Sequence, residues 1–170
     1  MRLFYVFLIG IVFSVSSQNA SKIDFKIRNL GVNVDGHFNT FSITTKYDTG
    51  GALTKLKGEI KVNSIKTGID KRDKHLLKKD YFYTSKFPLI TLESTLIKKM
   101  SSTEYQVKAK LTIKGKTKAI TIPVSIENAK STQKITSNFQ INRQDFNIGG
   151  GSFVMSKTVK LSVVHMEKNQ

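Results

Sequence analysis

Tyr105-Gln106-Val107-Lys108-Ala109-Lys110-Leu111-Thr112-Ile113-Lys114-Gly115-Lys116, followed by Ile120-Thr121-Ile122-Pro123-Val124-Ser125-Ile126, is the stretch that decides the fold. Apolar side chains fall on alternate positions, with mostly lysine, threonine, serine or glutamine between them. That is the period of a strand with one face buried and the other in water, not the 3.6-residue period of a helix. Lys114-Gly115-Lys116 between the two runs reads as a tight hairpin. Pro123 falls on the polar side and has no N–H to give, so the ladder is expected to be locally unpaired there.

The alternation extends in both directions. Ile23, Phe25 and Ile27 open it, and Val32 and Val34 lead through Gly36, read as a bend or bulge, to Phe38. Phe41 and Ile43 continue toward Tyr47, and Asp48-Thr49-Gly50-Gly51 makes a turn. Further runs are Leu56 to Val62, Ile90 to Leu96, Ile135 to Ile141 and Val159 to His165. About eight antiparallel strands result, enough for a barrel or a sandwich, and periodicity alone does not choose between them. The last connection contains Gly149-Gly150-Gly151, expected to be mobile or sharply bent.

Between Thr67 and Phe82 the period changes, and one helix is expected there. Thr67 with Asp70 resembles a capping box, and Lys78 and Lys79 suit the far end. Ile69, Arg72, Asp73 and Leu76 share one stripe, so two opposite charges face the body of the protein. The preferred reading ties Arg72 and Asp73 to loop backbone near Asn142 and Arg143. The other brings Arg72, with His75, to the polar head of a ligand.

Residues 1–17 read as an export signal: Met1-Arg2, an apolar run from Leu3 to Val15, and small residues before a cleavage after Ser17, with Ala20 an alternative site. The run is short for a membrane span. Residues 18–170 then form one domain, expected in the periplasm or secreted. The 170 residues carry 28 Lys and Arg against 12 Asp and Glu, a formal charge of +16, and no cysteine, which removes disulfides and thiolate chemistry. Only Arg2, Arg28, Arg72 and Arg143 are arginine. A lysine skin reads as solvation first and attraction to anionic surfaces second; specific nucleic-acid binding, which favours the guanidinium, is not expected.

Several pieces together carry a resemblance: Ser64-Ile65 and Thr67-Gly68, Arg72-Asp73-Lys74-His75-Leu76, Asp80-Tyr81-Phe82 with Phe87-Pro88, and Ser94-Thr95. The stretch Leu111 to Lys118, Ile122-Pro123-Val124 and Ile141-Asn142-Arg143-Gln144-Asp145-Phe146 follow in order. The whole resembles the YceI family of exported lipid- or polyisoprenoid-binding proteins, with Asn147 a departure from the glycine usual there. The resemblance implies an all-β, lipocalin-like antiparallel barrel with one short inserted helix, a long pore for an isoprenoid or other amphiphile, and no catalytic centre or cofactor beyond such a bound lipid.

The expected pore lining is Phe25, Ile90, Leu92, Val107, Leu111, Ile122 and Phe139, with Arg72, Asp73, His75, Asn142 and Arg143 as polar or structural groups at its end. An enzyme is the weaker class: His37, His75 and His165 show no metal-ligand or triad spacing with Asp35, Asp48, Asp73 or Asp145. A third class is charge-driven adhesion to anionic envelope surfaces through Lys108, Lys110, Lys114, Lys116 and Lys118.

Overall fold

The computed structural model describes residues 21–168, so the expected signal segment lies outside the described residues. Ten strands follow one another: β1 (Lys22–Asn29), β2 (Val32–Phe38), β3 (Phe41–Tyr47), β4 (Leu53–Lys61), β5 (Ile65–Lys66), β6 (Leu89–Lys99), β7 (Glu104–Ile113), β8 (Lys116–Asn128), β9 (Thr132–Asn142) and β10 (Met155–Lys168). One helix, α1 (Asp70–Leu76), lies between β5 and β6, and 3-10 turns occupy Val62–Ser64 and Arg143–Phe146. The strands form a single antiparallel sheet in the order β3-β4-β6-β7-β8-β9-β10-β1-β2-β5, curled into a half-barrel. The strand count exceeds the expected eight, because one bent run became β2 and β3 and because β5 is only two residues long.

Chain continuity draws the sheet's two edges together. β2 passes straight into β3 at Asn39-Thr40, yet the two strands pair with opposite ends of the order. Thr40 N–H donates to Ser64 Oγ at 3.0 Å and Lys61 N–H donates to Thr40 O at 3.0 Å, which fixes this corner. On the other side β8 pairs with β9 only from Ser125 to Asn128. From Pro123 back toward the start of β8 the two strands part, where a residue without an N–H stands, and Ser137 Oγ donates to Pro123 O at 2.6 Å instead.

Local chemistry explains the departures from simple alternation. Gly36 is not a bulge: β1 and β2 pair in unbroken register, with Gly36 opposite Phe25. A Cβ there would lie 2.3 Å from Phe25 Cζ and 2.8 Å from Lys66 O, so glycine makes room for an aromatic ring. A register shift between Ser94 and Leu96 does flip β6, turning Leu96 outward and Ile97 toward the core. Lys114 and Gly115 both have positive φ, 50° and 72°, as a two-residue hairpin of the primed type requires.

The expected capping box does not form. Helix α1 begins after Ile69, which makes no side-chain cap, and it is only seven residues long. Thr67 turns its hydroxyl to Asp73 instead.

Two buried clusters fill the concave side. The first gathers Ile23, Phe38, Val62, Ile65, Ile90, Leu111, Ile113, Phe146 and Ile148. The second gathers Leu53, Leu56, Tyr105, Val107, Ala109, Ile122, Val124, Ile126 and Ile135. Members of both face a cavity that runs through the curl of the sheet.

Candidate functional site

The cavity measures about 520 Å³, within the range of roughly 300–1,000 Å³ common for small-molecule sites. Its wall is built by the inward parity of successive strands: Ile23, Phe25 and Ile27 from β1, Ile90 and Leu92 from β6, Leu111 and Ile113 from β7, Phe139 and Ile141 from β9, Val159, Leu161 and Val163 from β10. Six of the seven expected lining residues stand on this wall, namely Phe25, Ile90, Leu92, Leu111, Ile122 and Phe139. Val107 does not. It is wholly enclosed in the second cluster, opposite the lining residue Ile122, and contributes packing rather than lining.

At one end stand Ile69, Lys71, Arg72, His75, Leu76, Tyr81 and Phe82, from α1 and the turn after it. Asp73, buried, does not reach the cavity. Its Oδ1 accepts from Thr67 N–H at 2.9 Å and from Thr67 Oγ1 at 2.5 Å. Oδ2 accepts no hydrogen bond, and its charge partner is Lys66 Nζ at 3.7 Å. Arg72 completes the clamp: Nε donates to Thr67 Oγ1 at 2.7 Å and Nη2 to Thr67 O at 2.5 Å. The two charges of the helix thus grip one threonine and tie α1 to the strand before it. Arg72 also borders the cavity, so the structural and ligand-facing readings of this residue coexist in one geometry. His75 is exposed, stacks edge-on against Tyr81 with ring centres 5.0 Å apart, and borders the cavity as well.

Arg143 also borders the cavity, on the Tyr81 side, whereas Asn142 does not. Asn142 caps the 3-10 turn, its Oδ1 accepting from Gln144 N–H at 3.0 Å. Arg143 is buried and donates only to backbone carbonyls: Nε to Ser156 at 2.8 Å, Nη1 to Ile148 at 2.6 Å and Gly150 at 2.8 Å, Nη2 to Met155 at 3.0 Å and Ser152 at 3.5 Å. All five guanidinium N–H groups are thereby matched. Burial pulls its pKa below the ordinary arginine value, with the nearby Tyr81 acting the other way. Among the described residues no bond joins Arg143 to the Arg72–Asp73 clamp; it organises the glycine-rich connection expected to be mobile or sharply bent.

Next to the far end of the cavity, which His165 lines, lies a polar group that the sequence reading missed. Glu167 accepts from Thr45 Oγ1 at 2.8 and 3.0 Å and from Tyr47 OH at 2.7 Å, and Tyr47 also contacts Gln133 Oε1. His165 Nε2 lies 3.5 Å from Glu167, and its Nδ1 lies 3.1 Å from Ser21 Oγ. His165 is therefore a partly buried cavity residue rather than a surface one. Burial first, and the bond to Glu167 second, push the Tyr47 phenol above its ordinary value of 10.0. A signal existed: Thr45 and Tyr47 continue the inward parity of Phe41 and Ile43, and His165 and Glu167 that of Val159 to Val163. Polar side chains on an inward parity need partners. Among the described residues no group of three or more His, Cys, Asp or Glu could hold a metal ion.

An open antiparallel curl around a largely apolar cavity defines a binding fold. Residues 15–165 match the YceI-like domain, and the chain belongs to that family. It is 35% identical over 138 residues to a UPF0312 protein of Yersinia pestis, covering 74% of this chain and 69% of that one. In structure it resembles Burkholderia cenocepacia BcnA, with TM-score 0.81, 28% identity and coverage of 86% and 96%. A Campylobacter jejuni YCEI protein gives TM-score 0.76 at 26% identity, covering 82% and 86%. A polyisoprenoid binding domain from Saccharophagus degradans, described as implicated in plant cell wall breakdown, shares the fold at 18% identity with TM-score 0.71, covering 89% and 95%.

Proposed function

We propose that this protein binds the apolar chain of an amphiphilic lipid, such as a polyisoprenoid, as a non-enzymatic carrier exported to the periplasm or secreted. The observation that carries the reading is the cavity wall, largely aliphatic and aromatic, with Arg72, His75 and Arg143 on the Tyr81 side and His165, beside Glu167, at the other end. Burial supplies the affinity. At about 0.8 kcal/mol per methylene, a dozen carbons offer roughly 10 kcal/mol gross, and micromolar binding needs about 8 kcal/mol net of association costs. Arg72, whose Nε and Nη2 are already engaged with Thr67, offers its remaining edge to a polar head.

Titration with a fluorescent polyene alcohol, together with organic extraction and mass spectrometry of protein purified from its native envelope, tests this. Leu92→Trp fills the space without adding charge and is expected to lower uptake at least tenfold while the fold is retained. Leu92→Glu adds a buried charge and is expected to lose uptake or to unfold. Uptake at the wild-type level in folded Leu92→Trp, with no lipid extracted from native protein, overturns the reading.

A second reading, charge-driven binding to anionic envelope surfaces, draws on the exposed Lys108, Lys110, Lys116 and Lys118, none of which forms an ion pair among the described residues. Uptake of a neutral apolar chain does not require it.

A further inference from the structure

We propose that the mouth of the cavity docks on an anionic lipid bilayer through an apolar rim made of Leu30, Val32, Phe153 and Val154. All four are exposed, Phe153 completely. They form one rim, because Leu30 N–H donates to Val154 O at 2.9 Å, Val32 pairs with Asn29, and Asn29 pairs with Met155. Asn29 and Met155 also line the cavity, so the rim borders its opening. Ile69 is exposed and lines the same cavity.

Leu30 is the residue hardest to explain otherwise. It and Gly31 form the two-residue connection between β1 and β2, with φ of +51° and +81°. Asparagine before glycine is the least costly choice for such a turn, and leucine there accepts left-handed backbone strain. Strain is normally repaid by packing, yet this side chain is 72% exposed. Phe153 likewise gains no burial and Val154 stays more than half exposed, although Arg143 holds the backbone on either side of them. Isolated exposed apolar residues are ordinary, but four joined at the opening of an apolar cavity make a patch.

Charge identifies the occupant. Arg28 and Lys157 flank the groove beside Phe153, and Lys71 stands with Ile69 at the cavity. The carboxylates Asp35 and Asp70 are occupied by Lys26 at 3.1 Å and Lys66 at 3.6 Å. Apolar tips ringed by cations suit a surface of anionic headgroups over hydrocarbon. A second copy of a chain with formal charge +16 is the poorer partner, because like charges oppose its approach.

Docking so placed sets the cavity against the bilayer from which an amphiphile would come. The inference rests on the proposed lipid binding only for that purpose, and the two are measured separately. Co-sedimentation with vesicles of phosphatidylglycerol and phosphatidylethanolamine, and with phosphatidylcholine vesicles, reads docking; polyene uptake from vesicle-free buffer reads the cavity. All proteins carry the same N-terminus, so any contribution of residues 3–15 cancels. Leu30→Asn with Phe153→Ser and Val154→Ser is expected to weaken binding to the anionic vesicles roughly tenfold or more, while polyene uptake is unchanged. Leu30→Asn alone is expected to keep or raise the melting temperature while weakening docking. Three results overturn the proposal: wild-type protein that does not sediment with anionic vesicles, a triple variant that sediments as well as wild type, or loss of docking on Lys108, Lys110, Lys116 and Lys118→Gln while the triple variant keeps it.

Discussion

Glu167 is held inside the curl by hydroxyls rather than by a strong cation. Thr45 and Tyr47 come from β3 at the edge of the sheet, and Glu167 from β10, so these bonds span strands that share no ladder. Their chemistry gives the seam a pH dependence whose sign follows from Tyr47. Its phenol is raised by burial and by the acceptor Glu167, so the folded protein keeps the proton at pH values where the unfolded chain has lost it. The resulting stability is fully present below about pH 10, the ordinary phenol value, and declines as pH rises above it toward the folded-state value. Thermal melts from pH 8 to 11 are expected to show wild type more stable than Tyr47→Phe by about 1–3 kcal/mol at the lower end. The difference is expected to shrink above pH 10; a constant difference across that range would show that Tyr47 is not a titrating part of the seam.

At the scale of elements, Arg143 does for the β9–β10 connection what a short strand would otherwise do. Its five bonds to carbonyls between Ile148 and Ser156 fix a segment with positive φ at Gly149 and Gly150 that joins no ladder before Met155. Arg143→Met keeps volume but strands those carbonyls, with an expected loss of about 3 kcal/mol or more and faster amide exchange over 148–156. Arg143→Lys, with three donors and no planar fork, is expected to recover only part of it. Exchange in that segment unchanged by Arg143→Met would refute this assignment. The strands and most of the cavity wall were legible in the sequence, because alternation reports a face directly. Leu96 misled, since one extra residue in β6 inverts the parity after it. The role of Arg143 was illegible for another reason: nothing local says that the chain returns to it between Ile148 and Ser156. The same holds for Tyr47 and Glu167, which are separated by 120 positions and meet only when the sheet curls.

For the whole molecule, most of the lysines of the described residues sit on the outside of the curl, because the inside is largely apolar. The formal charge of +16 is already net of the 12 acidic residues, so ion pairs within the protein leave it unchanged. Lys26–Asp35 and Lys57–Glu93 are exposed, and although Lys57 holds the Glu93 carboxyl below its usual value, such pairs contribute little in water. Self-repulsion therefore dominates the long-range electrostatics of the folded state. Salt at about 0.1 M shortens the reach of these charges to roughly 10 Å and should relieve repulsion more than it weakens the few close pairs. The melting temperature is accordingly expected to rise between about 10 mM and 0.5 M sodium chloride. Replacing Lys108, Lys110, Lys116 and Lys118 with Gln should flatten that rise, since these four exposed cations lie within one hairpin, β7–β8. A melting temperature that falls with added salt would mean that the exposed ion pairs outweigh the repulsion, and that the lysine skin is compensated in the folded protein.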